Sequence, residues 1–136
     1  MTLDVDELIN LNKEMALREN AGDSDWFENI LAPEIAFRRA SGVIIDREAF
    51  LSALKNPSNT LRTYEQTEGV EITENLAVFK CIISTTSPSD NNSGNTGPAD
   101  DVIKKFRNIR LFVKQKFEDD SRWLLLGWAT EDITSK

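Results

Sequence analysis

Trp123-Leu124-Leu125-Leu126-Gly127-Trp128-Ala129 is the stretch on which the fold turns. It is far shorter than the ~20 apolar residues of a membrane span. It follows the Glu118-Asp119-Asp120 turn, within a last strand read from Arg122 to Thr130. Successive strand residues point to opposite faces, and this run is apolar at both parities. Cover is therefore expected on both faces of the sheet that contains it. Working backward, Val102 to Phe117 reads as a long strand joined to Arg122–Thr130 through that acidic turn. Leu76 to Thr85 is rich in Val, Ile and Phe, and Ala77, Val78, Phe79, Cys81, Ile82 and Ile83 repeat the two-faced pattern. Glu74-Asn75 reads as a tight turn after a more polar strand, Leu61 to Ile72. Residues 87–100 contain no large apolar side chain and read as a flexible loop.

The N-terminal half has a different period. Val5, Leu8, Leu11, Met15 and Leu17 recur near helical spacing over Val5 to Asn20, and Ala21-Gly22 ends that helix. Asp23 or Ser24 caps a second helix, Asp25 to Leu31, closed by Pro33. Glu34 to Arg39, a Ser41-Gly42 turn and Val43-Ile44-Ile45 make a short hairpin. Asp46 then precedes a third helix, Arg47 to Leu54, stopped by Asn56-Pro57. The fold class that follows is α+β, with helices on one face of an antiparallel sheet of about four long strands plus the hairpin. Helices cover one face only. The simplest cover for the other is a second copy of the chain, a homodimer through the sheet; the alternative is a strand that bends across the domain.

Composition narrows the functional classes. The 136 residues fit one domain, 1–136, and 40% hydrophobic content suffices for a core. The net charge of -7 disfavours general binding to nucleic acid and to anionic membrane surfaces. Residues 1–60 carry eleven acids and six bases, whereas residues 101–136 carry six acids and eight bases. The basic run Lys104, Lys105, Arg107, Arg110, Lys114, Lys116 is thus the one candidate anion-binding stripe, or else a solvated strand face. A lone cysteine, Cys81, precludes an internal disulfide, and the acidic N-terminus has no apolar signal core; a cytoplasmic setting is expected. With no histidine there is no Ser-His-Asp or Cys-His arrangement, and neither a metal nor a cofactor is expected.

Three segments carry a resemblance. Phe37-Arg38-Arg39-Ala40-Ser41-Gly42 with Asp46-Arg47-Glu48-Ala49-Phe50-Leu51, then Phe106-Arg107-Asn108-Ile109-Arg110-Leu111-Phe112-Val113, then Trp123 to Thr130, resemble the nuclear transport factor two-like superfamily, in particular its small SnoaL-like members. The resemblance spans nearly the whole chain. It implies a cone, a strongly curved sheet around the long first helix with a cavity at the open end, and commonly a dimer through the sheet. Relatives include ketosteroid isomerase-like, epoxide hydrolase-like and polyketide cyclase enzymes as well as binding and assembly modules, so the fold does not choose a function. Many similar chains carry a histidine near the end of the last strand, where this one has Trp128.

Each polar candidate has two readings. Asp46 is either a general base or the cap of the third helix. Tyr64, the one tyrosine, is either a hydrogen-bond donor to a substrate oxyanion or a packed strand aromatic. Arg107 shares its parity with Ile103, Ile109, Leu111 and Val113, so it is expected either to point into the cavity or to be paired internally. Cys81 reads as core. Met15, Trp26, Phe37, Phe79 and Trp128 are expected around the cavity, which then suits an apolar or flat ligand, with Arg107 engaging an acidic group on it. An isomerase, cyclase or hydrolase using Asp46 and Tyr64, and an interaction module with a filled cavity, are the alternatives.

Overall fold

A computed structural model describes residues 2–56, 59–88, 101–118 and 120–135. Helix α1 (Thr2–Ala21) lays Leu8, Asn12, Met15 and Ala16 inward, the i, i+4 rows of one helix face. It stops at Gly22, whose φ of +65° suits glycine and where an added Cβ would stand 2.9 Å from the Leu54 carbonyl oxygen. Asp23 caps α2 (Ser24–Glu28), accepting from the Trp26 amide at 3.2 Å.

The second helix is shorter than its sequence suggests. Leu31 begins β1 (Leu31–Arg38) by pairing with Leu125, and Leu125 N donates to Ile30 O at 2.7 Å. Strand pairing thus overrides local helical preference. Pro33 falls between Leu31 and Ala36, where the ladder is interrupted, so its missing N–H breaks no bond there. A hairpin leads to β2 (Ile44–Asp46), then α3 (Arg47–Leu54), which Asp46 caps by accepting from Ala49 N at 2.9 Å.

Strands β3 (Leu61–Thr73), β4 (Leu76–Pro88), β5 (Asp101–Lys116) and β6 (Ser121–Asp132) complete a curved six-stranded sheet in the order β2-β1-β6-β5-β4-β3. Neighbours are antiparallel except β1 and β6, a parallel pair absent from the sequence expectation. Of the expected 87–100 loop, Ser87 and Pro88 end β4, and 89–100 lie outside the described residues.

The inner face holds one core. Leu8, Phe27, Phe79, Phe112 and Leu125 are fully buried within it, each worth about 1.5–3 kcal/mol of transfer free energy. Trp123, Leu125 and Trp128 all reach this core despite their mixed parity. The β5–β6 register explains it: Phe112 pairs with Leu125 and Leu111 with Gly127, leaving Leu126 as the extra residue of a bulge. Part of the two-parity pattern is therefore a phase shift, not a second covered face. Among the described residues, no helix is long and apolar enough to cross a membrane.

Candidate functional site

Between the C-terminal end of α1, α3 and strands β1, β3, β4, β5 and β6 lies a cavity of about 430 Å³. Phe37, Phe50 and Trp128 form its aromatic wall, with Phe37 and Phe50 stacked at 4.3 Å and Trp128 tilted against both. Arg38, Arg39, Arg62 and Lys104 bring cationic groups, and Glu19 is the carboxylate of the lining.

Arg110 forms the floor. It is 1% exposed, a costly position for a guanidinium. Its Nη1 donates to Asn12 Oδ1 at 2.7 Å and faces Met15 Sδ at 3.8 Å; its Nη2 donates to Asn108 Oδ1 at 3.0 Å. Its guanidinium carbon sits 4.2 Å from the centroid of the Trp128 ring, a cation–π arrangement. None of these partners is a charge, and among the described residues its buried Nε has no hydrogen-bond partner. The neighbours are themselves oriented. Asn12 Nδ2 donates to Leu8 O at 2.7 Å, which turns its oxygen toward Arg110, and Trp128 Nε1 donates to Asn108 Oδ1 at 2.5 Å.

Elsewhere in the lining, Arg62 Nε meets Glu19 Oε2 at 3.0 Å, and the Glu19 side chain is only 9% exposed. Asn20 sets this pair by behaving as a strand partner: its Nδ2 donates to Arg62 O at 2.8 Å and its Oδ1 accepts from Arg62 N at 2.7 Å. Burial pushes the Glu19 carboxyl above the usual carboxylate range, against the pull of Arg62 and, less, of Arg110 and Arg39.

The structure is similar to that of an NTF2-like protein from Cytophaga hutchinsonii, with a TM-score of 0.71 over 94% of this chain and 97% of that one at 15% identity. The chain has the nuclear transport factor two-like fold. The association domain of C. elegans CaMKII has the same NTF2-like fold, with a TM-score of 0.74 at 12% identity over 96% of each chain. So has the S. rosetta CaMKII hub, at 0.73 and 17% over 92% and 93%. Sequence comparison matches the chain to no protein family and to no curated protein.

Within this NTF2-like frame, Phe37 and Trp128 line the cavity; the other residues expected there do not. Met15 lies beneath Arg110, fully buried. Phe79 is core, edge-on to Phe112 at 6.4 Å, and Trp26 packs edge-on to Phe27 at 4.9 Å. Cys81 is fully buried, and burial pushes its thiol up. Tyr64 is half-buried on β3 and shares a hydrogen bond with Thr67; burial raises its phenol. Asp46 belongs to β2, at the other edge of the sheet, and its carboxylate is committed to the helix cap. The structure therefore does not bring Asp46 and Tyr64 together at the cavity.

Arg107 is on the outer face and outside the cavity. Its Nε donates to Glu68 Oε1 at 2.8 Å and its Nη1 to Glu131 Oε1 at 3.1 Å, so it is paired rather than poised for a ligand. These carboxylates, Glu68 foremost, raise its pKa further. Its apolar companions Ile109 and Leu111 are 44% and 36% exposed, on the same outer face. The buried arginine is the one of opposite parity. The signal for it was cross-strand: Asn108 and Arg110 stand opposite Thr130 and Trp128 in the register. Among the described residues, no cluster of three or more Cys, Asp or Glu could hold a metal ion.

Proposed function

We propose that this chain is a small-molecule-binding pocket protein whose ligand is a flat apolar or aromatic molecule bearing an acidic group, with that group held by Arg110. The observation that carries this reading is a desolvated guanidinium, 1% exposed, whose hydrogen bonds among the described residues all go to neutral atoms and whose Nε has no partner among them. A charge in that state gains more from an anion than any solvated lysine does. The cavity, about 430 Å³, is in the range of about 300–1,000 Å³ typical of ligand sites, which favours an open pocket over one filled by side chains. Phe37, Phe50 and Trp128 offer ring faces for the apolar part. The test is titration with aromatic carboxylates: binding by the wild type that Arg110→Met removes supports the reading, and binding that survives Arg110→Met sinks it.

A homodimer through the sheet is the second part of the proposal. In register across the outer face, Val78 meets Leu111, Leu111 meets Gly127 and Gly127 meets Ala36; beside them run Ile109, Ala129 and Ile44. Among the described residues this apolar row has no cover, with Ile44 69% and Val78 41% exposed. The words "association domain" and "hub" in the names of two structural neighbours support an assembling face. A cytoplasmic location fits the single buried thiol of Cys81.

A further inference from the structure

Among the described residues, the cavity lining carries five cationic side chains and one carboxylate, Glu19. That carboxylate is not a rim charge. Its side chain is 9% exposed, it is bonded to Arg62, and it faces the same hollow as Arg110. An anion seated on Arg110 would place a second negative charge in the desolvated space that Glu19 shares. Two carboxylates in one low-dielectric site do not both stay ionised readily. The groups around Glu19 offer limited relief. Arg62 from β3 already engages it, Arg110 and Lys104 come from β5, and Arg39 follows β1. Cys81 from β4 is a buried thiol that burial keeps protonated. On its own helix, Arg18 is occupied by Glu14 at 2.7 Å and by Asp23 at 2.7 Å.

We infer that Glu19 couples anion binding at Arg110 to the uptake of one proton from solvent, so that the pocket exchanges its internal counter-charge for the ligand's. This rests on the anion-binding reading above and adds the residue that sets its charge selectivity. When the anion docks, Glu19 becomes a neutral carboxylic acid; Arg62 is released from its ion pair and turns its charge to the ligand. Burial already favours the protonated form of Glu19, which works in the direction of this uptake. Affinity for an anion then rises as pH falls, starting near the Glu19 pKa of the bound state and levelling below that of the free state. The gain is about tenfold for each unit by which the bound anion raises that pKa.

Benzenesulfonate is the probe, because it stays ionised throughout and contributes no titration of its own. Calorimetric titration of the full chain from about pH 5 to about pH 8, in two buffers of different ionisation enthalpy, should show tighter binding at the acid end and net proton uptake in between. Glu19→Gln should bind benzenesulfonate at the alkaline end more tightly than the wild type and with no pH dependence. Wild-type binding that is equally tight across the range with no proton exchange overturns the role of Glu19 and leaves the pocket reading standing. So does a pH dependence that persists in Glu19→Gln. Absence of binding by the wild type at every pH overturns both. If Glu19→Gln does not fold, the two-buffer measurement on the wild type decides alone.

Discussion

Arg110 lies over the indole of Trp128, 4.2 Å from its centroid, and both donate to a single acceptor, Asn108 Oδ1. The relationship joins the floor of the pocket to its aromatic wall. A flat ligand that reaches the guanidinium must also lie against the rings. Arg110→Met, similar in bulk, should therefore weaken binding of an aromatic carboxylate at least about tenfold, since a hydrogen bond to a charged group is worth about 1.5–3 kcal/mol. Calorimetry on the folded variant checks it.

Arg107→Ala should leave that same affinity unchanged, because its guanidinium is spent on Glu68 and Glu131 outside the cavity. A titration in parallel with Arg110→Met separates the two arginines. Loss of ligand binding in Arg107→Ala would contradict the placement.

Leu111→Asp puts a charge in the middle of the outer apolar row, between Val78 and Gly127. Sedimentation should show a dimer for the wild type and a protomer for the variant, with ligand affinity retained. A wild type that sediments as a single protomer at high concentration would remove the proposed interface.

Phe79→Ala should cost about 3–5 kcal/mol of stability, the usual loss for a fully buried aromatic, since Phe79 is 0% exposed and packs on Phe112. Asp46→Ala should cost about 1 kcal/mol through the lost cap of α3, whereas Asp46→Asn should be nearly neutral. Denaturant unfolding measures both.

The two kinds of shifted carboxyl have opposite signs in a stability–pH profile. The Glu19 pKa is raised in the fold by burial. Its contribution is thus fully present below the ordinary glutamate value and is lost as pH rises through the folded value. Asp23, held down by Arg18 and by the Trp26 amide, contributes above the ordinary aspartate value and loses it as pH falls through its lowered value. Glu19→Gln should therefore be more stable than the wild type at neutral pH, with the difference closing in acid. Thermal unfolding across pH reads this directly.

Much of the fold was legible in the chain because its cues are local. The third helix, its Asp46 cap, the Glu74-Asn75 turn and the four long strands follow from period, glycine, proline and capping residues within a few positions of one another. The candidate site was less so. Its location depends on which way each strand residue faces, and that phase is not local. Arg107 and Arg110 differ by three positions, hence in parity, and the apolar neighbours of Arg107 pointed to the wrong face because the outer face is itself apolar. Glu19 and Arg62 met only through the docking of α1 on β3 by Asn20.

The chain's own pattern was enough for element type and element order, since each depends on hydrophobic spacing along the backbone. The inward arginine, the parallel β1–β6 pairing and the burial of Trp123 together with Trp128 came from the assembled sheet. A bulge at Leu126 reverses the facing of every residue beyond it, and a one-residue phase change is set by partners across the sheet, not by neighbours in sequence.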